Sequence, residues 1–168
     1  MNRYTVAVLV NNHFGVLNRV TSMFRRRQFN ISALTVSETE TNKLSRITVV
    51  FDGEDNAKQQ LINQLYKLPD VCSIKEFSSD NSISSELLLI KMKNETASRH
   101  DIKSAAEAFG AVVVDYSKDY QIFRLTDSTR RIDDFINLMR DFTILEICRT
   151  GSVSLERGSS TIRQIVNL

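Results

Sequence analysis

Apolar and polar positions alternate along the first ten residues, then change period. Residues 3–10 carry Tyr4, Val6, Val8 and Val10 on one side and Ala7 and Leu9 on the other, the pattern of a strand with two apolar faces. From residue 15 the period becomes helical, with Val16, Val20, Met23 and Phe24 on one stripe of a helix over 15–28. Residues 30–37 and 45–51 read as strands, the second alternating Ile47, Val49 and Phe51 against Arg46, Thr48 and Val50. A helix over 55–68 follows, striped by Ala57, Leu61, Leu65 and Leu68, and then a strand over 70–77.

The stretch SSDNSISS (78–85) has five serines in eight residues and no apolar period, so it reads as a linker. Beyond it the order repeats. ELLLIKMK (86–93) is a strand. Residues 98–109 form a helix striped by Ile102, Ala105, Ala106 and Phe109. AVVVDYS and YQIFRLTD are strands, and 130–142 is a helix striped by Ile132, Phe135, Ile136 and Met139. TILEICRTGSVSL closes the repeat as a strand, with a bend or bulge expected at Gly151. The reading is an α+β chain of two successive βαββαβ, ferredoxin-like units. The expected domains are 1–78 and 86–158, joined by a linker over 79–85 and followed by a mobile tail over 159–168. An antiparallel sheet with both helices on one face needs its other face and edges covered. Pairing with a second copy, side by side or face to face, is therefore expected.

Composition narrows the function classes. Of 168 residues, 42% are apolar and 25% charged, as in ordinary globular chains. A net charge of +2 does not point to nucleic acid or to a membrane. No apolar run has the length of a membrane span, and a strand that begins near Met1 leaves no room for a leader. A cytoplasmic protein is expected. Cys72 and Cys148 sit in apolar, strand-like stretches and read as two buried thiols. His13 and His100 fall in different repeats, and no metal-ligand or nucleophile motif is present. No catalytic residue, metal site or cofactor is assigned to this chain. Asp133 and Asp134 read as a solvated helix face. The run Arg25–Arg27 ends a helix, where it complements the dipole. The main rival reading of such a unit is an RNA-binding module, but the R/K-G-F-G-F-V-x-F signature is missing.

The turn NNHFG (11–15) is the place where chemistry is expected. A helix start leaves N–H groups unpaired and favours an anion. Gly15 lets a ligand approach closely. The amides of Asn12 and Asn30 can accept from an ammonium or donate to a carboxylate. Asn30 opens the strand expected beside this turn, and Val16, Leu17 and Ile31 supply apolar neighbours for a branched side chain. The set suits a free aliphatic α-amino acid. On turn chemistry alone the simpler alternative stays open, with Asn12 as an N-cap and Gly15 a steric convenience.

VAVLVNNHFGVLNRVTSMFRRRQFNISALTVSETE, LSRITVVF and EICRTGSVSLERG together resemble the small regulatory subunits of acetohydroxyacid synthase (acetolactate synthase). The resemblance covers nearly the whole chain. It implies that the first unit is an ACT domain, a regulatory amino-acid-binding module, and that the second is a ferredoxin-like domain peculiar to the family. It further implies a homodimer through the ACT domains, with a branched-chain amino acid, typically valine, at the interface. The partner implied is a large catalytic subunit that uses thiamine diphosphate, Mg²⁺ and usually FAD. That partner makes the acetohydroxy acids on the way to valine, leucine and isoleucine, and the small subunit raises its rate and confers feedback inhibition. The family's effector-contact positions fall on Asn12, Gly15, Val16, Leu17, Asn30 and Ile31. His13 and Phe14 depart from the smaller or acidic residues expected there, and Phe14 is expected to narrow the pocket.

Overall fold

A computed structural model describes residues 2–78 and 80–165. The elements follow the expected order: β1 (Asn2–Asn11), α1 (Val16–Arg26), β2 (Ile31–Glu38), β3 (Leu44–Gly53), α2 (Asp55–Leu65) and β4 (Val71–Phe77), then β5 (Ser82–Lys93), α3 (Arg99–Phe109), β6 (Val112–Tyr116), β7 (Tyr120–Asp127), α4 (Thr129–Met139), β8 (Ile144–Arg149) and β9 (Val153–Glu156). The first sheet is ordered β2-β3-β1-β4 and the second β6-β7-β5-β8, so the same topology is used twice. All pairings within these two paths are antiparallel. The fold is α+β, two successive ferredoxin-like units.

Two compact units result: residues up to Ser84 together with the chain from Ser152 onward, and Ser85–Gly151. In the first, Tyr4, Val6, Val8 and Val10 of β1 and Ile47, Val49 and Phe51 of β3 pack against Val16, Val20 and Phe24 of α1 and Leu61 and Leu65 of α2. Burying each of these larger side chains is worth about 1.5–3 kcal/mol, which is what holds the marginal helices on the sheet. In the second, Leu88, Ile90, Met92, Phe123 and Leu125 meet Ile102, Ala106, Ile132, Phe135, Ile136 and Met139. The helical stripes read from the periodicity are those that face the cores.

Four expectations are revised. Ser82–Ser85 are not linker but the opening of β5, because backbone pairing needs no apolar period. The second face of β1 needs no second copy to cover it: Ala7 and Leu9 are already buried within the chain. Residues 159–165 are not a free tail, and 166–168 lie outside the described residues. Ile162–Ile165 form a 3-10 turn, and Arg163 Nη1 lies 2.8 Å from Glu40 Oε1. Finally, Cys148 is exposed and Cys72 half-buried, so neither is a core thiol. The expected bend is present: Gly151, at φ 75°, separates β8 from β9.

Candidate functional site

The turn between β1 and α1 is built from long-range contacts. Gly15 takes φ 85°, ψ −6°, the left-handed region that favours glycine, and so aims the chain from the strand into the helix. Among the described residues no side chain caps α1, and its first turn holds no acidic residue. The positive end of the helix is left to whatever anion reaches it. Asn12 is not the N-cap. Its Nδ2 donates to Glu38 Oε1 at 3.0 Å and to the Asn42 carbonyl at 2.9 Å, and its backbone N–H to the Lys43 carbonyl at 2.8 Å. Asn12 thereby ties the turn to the β2–β3 connection.

A second set of contacts holds the turn to the start of β4. His13 Nε2 lies 2.6 Å from Asp70 Oδ1, and Arg19 Nη1 donates to Asp70 Oδ2 at 2.7 Å. The His13 Nδ1 is 3.2 Å from the Phe14 carbonyl. Both ring nitrogens thus face acceptors, which the doubly protonated imidazolium satisfies best. The bond to the Phe14 carbonyl, then the one to Asp70, raises the His13 pKa above its ordinary value. Burial works against ionisation of Asp70, but His13 and Arg19 outweigh it and hold that carboxyl below the usual range. Asp70 and Arg19, 57 and 6 residues from His13, carried no sequence signal.

Beside the turn is a cavity of about 80 Å³, lined by Val10, Asn12, His13, Val16, Leu17 and Val36 among others. It is far smaller than the roughly 300 Å³ at which ligand pockets begin, so it accommodates part of a ligand. Phe14 does not narrow it: its side chain is fully exposed and is not in the lining.

Asn30 and Ile31 are not beside this turn in one chain. Through β3, Ile31 pairs with Phe51 and Phe51 with Tyr4, whereas the turn leaves β1 at Asn11, opposite Leu44. The seven residues from Tyr4 to Asn11 span on the order of 20 Å at about 3.3 Å each. β2 runs parallel to β1, so its start lies at the far end of the sheet and only its later residues, Val36 and Glu38, reach the turn.

The aromatics that an RNA-binding module would display are also misplaced. Tyr4 and Phe51 lie in the core against the helices, while the opposite face of the central strands carries Ala7, Leu9, Arg46 and Thr48. Among the described residues no cluster of three or more His, Cys, Asp or Glu is placed to hold a metal ion, and no helix is long and apolar enough to cross a membrane.

Residues 6–73 match the family described as AHAS small subunit-like ACT domain, and residues 85–158 match the small subunit of acetolactate synthase. The chain belongs to the acetolactate synthase small-subunit family. A probable acetolactate synthase small subunit of Archaeoglobus fulgidus is 41% identical over 157 residues, 94% of this chain and 98% of that protein. The Bacillus subtilis acetolactate synthase small subunit is 37% identical over 155 residues, 92% of this chain and 90% of its relative. The crystal structure of the Thermotoga maritima small subunit superposes with a TM-score of 0.86 at 33% identity, covering 95% of this chain and all of that one. The first unit of this family member is thus an ACT domain.

Proposed function

We propose that the chain is the regulatory subunit of a cytoplasmic acetolactate synthase. It binds a large catalytic subunit, raises its rate and makes it sensitive to a branched-chain amino acid, with valine the favoured effector. Thiamine diphosphate, Mg²⁺ and usually FAD belong to the catalytic partner. The effector's carboxylate sits at the uncapped start of α1 beside Gly15, and its side chain enters the small cavity by Val16 and Leu17.

The observation that carries this reading is the sheet register. One chain holds the turn and the β2 start about 20 Å apart, and its cavity takes only part of an amino acid. β2 is an edge strand whose Leu34 and Val36 are 38% and 43% exposed. Antiparallel pairing of β2 with β2 of a second copy sets the Glu38 end of one strand against the Ile31 end of the other. Because Asn12 is bonded to Glu38, that pairing brings the turn of one copy to Asn30 and Ile31 of its partner. A homodimer through the ACT domains thereby completes two equivalent sites. Valine then couples to catalysis by favouring one arrangement of the complex, typically by about 1–3 kcal/mol.

The test mixes the chain with its cognate large subunit and follows acetolactate formation. The chain alone turns over no pyruvate, and the mixture is faster than the large subunit by itself. Asn30→Ala retains activation and weakens valine inhibition about tenfold, the loss of one charge-assisted hydrogen bond. A mixture no faster than the large subunit overturns the regulatory reading. An unchanged valine response in Asn30→Ala overturns the interface site.

A further inference from the structure

A second, larger cavity of the first unit shares no lining residue with the one beside the effector turn. It measures about 400 Å³, within the range of small-molecule sites. Its floor is the sheet face opposite the helices, represented by Leu9 and Phe77, and its far wall is β9 and the 3-10 turn, represented by Leu155 and Ile162. Arg163 closes one end through Glu40 and Thr39, at 2.8 and 3.5 Å.

Two polar groups in this wall are incompletely matched. Arg46 is half-buried, donates to the Ser154 carbonyl, and lies 5.5 Å from the Phe77 ring centroid. Among the described residues it has no carboxylate partner, and burial pushes its guanidinium down from its ordinary value. Glu156 uses Oε1 to bind Lys75 at 2.8 Å, while its Oε2 is buried and, among the described residues, accepts no hydrogen bond. A guanidinium with donors to spare and a buried acceptor with none of its needs met are each costly unless something completes them.

We propose that this cavity is a second small-molecule site, for an apolar α-amino acid held by its carboxylate on Arg46 and its ammonium on Glu156. Charge balance selects this class over a phosphate or nucleotide. Arg46, Lys75 and Arg163 are offset in the lining by Glu38, Glu40 and Glu156, so a ligand without net charge is accommodated and a polyanion is opposed. The apolar walls take the side chain. Glu38 belongs to this lining and also accepts from Asn12, so one carboxylate adjoins both this site and the effector turn.

Methyl NMR on the full chain, titrated with L-leucine, tests this directly. Leu155 and Ile162 report the second site, while Leu17 and Val36 report the effector turn, so failure of one leaves the other readable. Saturable shifts at Leu155 and Ile162 are expected, weakened about tenfold or more in Arg46→Gln and in Glu156→Gln. 4-Methylpentanoate and 3-methylbutylamine, each keeping one charge, bind about tenfold more weakly than leucine. Glu156→Gln keeps a hydrogen bond to Lys75, so it carries the test if Arg46→Gln fails to fold. Absence of shifts at Leu155 and Ile162 at millimolar leucine, or shifts indifferent to both substitutions, overturns the proposal.

Discussion

His13 Nε2 and Asp70 Oδ1 are 2.6 Å apart, joining the β1–α1 turn to the residue that precedes β4. The pair makes the turn sensitive to pH from two sides. His13 is raised, so its contribution is complete below the ordinary histidine value of 6.5 and is lost as pH rises through the raised one. Asp70 is depressed, so its contribution is complete above the ordinary carboxylate value of 3.8 and is lost as pH falls through the depressed one. Protection from amide exchange relative to the unfolded chain, read at the bonded N–H groups of Val16 and Arg19, is expected to be greatest between those two ordinary values. Asp70→Asn removes the acid limb and leaves a shallower alkaline one, because the Phe14 carbonyl still favours the imidazolium; a wild-type profile that is flat across neutral pH contradicts the assignment.

Gly15 gives a second expectation. At φ 85° any other residue is strained by about 1–2 kcal/mol, although a Cβ there meets nothing within 4 Å. Gly15→Ala and Gly15→Asp therefore both fold, with melting temperatures lowered by a few degrees. Their functional outcomes diverge. The aspartate competes for the N–H groups at the start of α1 by charge, so its complex stays active and becomes insensitive to valine, while the alanine complex keeps a weakened response. Thermal melts paired with acetolactate assays separate the two effects.

Assembly is tested on the edge strand. Leu34→Lys places a charge in the middle of exposed β2 without touching the turn. Light scattering at micromolar concentration is expected to show a dimer for the wild type and a monomer for the variant, and the variant should lose its valine response. A wild type that remains monomeric with and without valine contradicts the pairing.

In the second unit, Glu86 is 3% exposed and is held by Arg149 Nε at 2.5 Å and Thr129 Oγ1 at 2.8 Å. Arg149 Nη1 also reaches Asp133 at 2.8 Å, so Asp133 is paired and not simply solvated. Arg149→Ala strands a buried carboxylate and is expected to cost about 3–5 kcal/mol in urea unfolding. Replacing both residues, as Arg149→Met with Glu86→Leu, should recover most of that loss.

What could be read from sequence divides by range. Val16, Val20 and Phe24, or Ile132, Phe135 and Met139, announce their helices because one local period fixes which residues share a face. The β1–α1 turn is legible as a turn, but its chemistry is not. Asn12 is bonded 26 residues away and His13 57 residues away. No local pattern encodes such partners. Register also outran the pattern: the alternation in residues 30–37 shows a strand but not which end of it lies by Gly15. The 3-10 turn at Ile162 is built on a salt bridge and a cavity wall, neither of which leaves a period in the chain.

The distance between Gly15 and Asn30 has a thermodynamic consequence. If each effector molecule bridges two copies, ligand occupancy and dimerisation are linked equilibria, and each must strengthen the other. Dilution would then desensitise the protein to valine without any change in its contacts, and saturating valine would hold dimers together at concentrations where the free chains separate. Feedback sensitivity would on that footing be a function of how much of the subunit the cell makes.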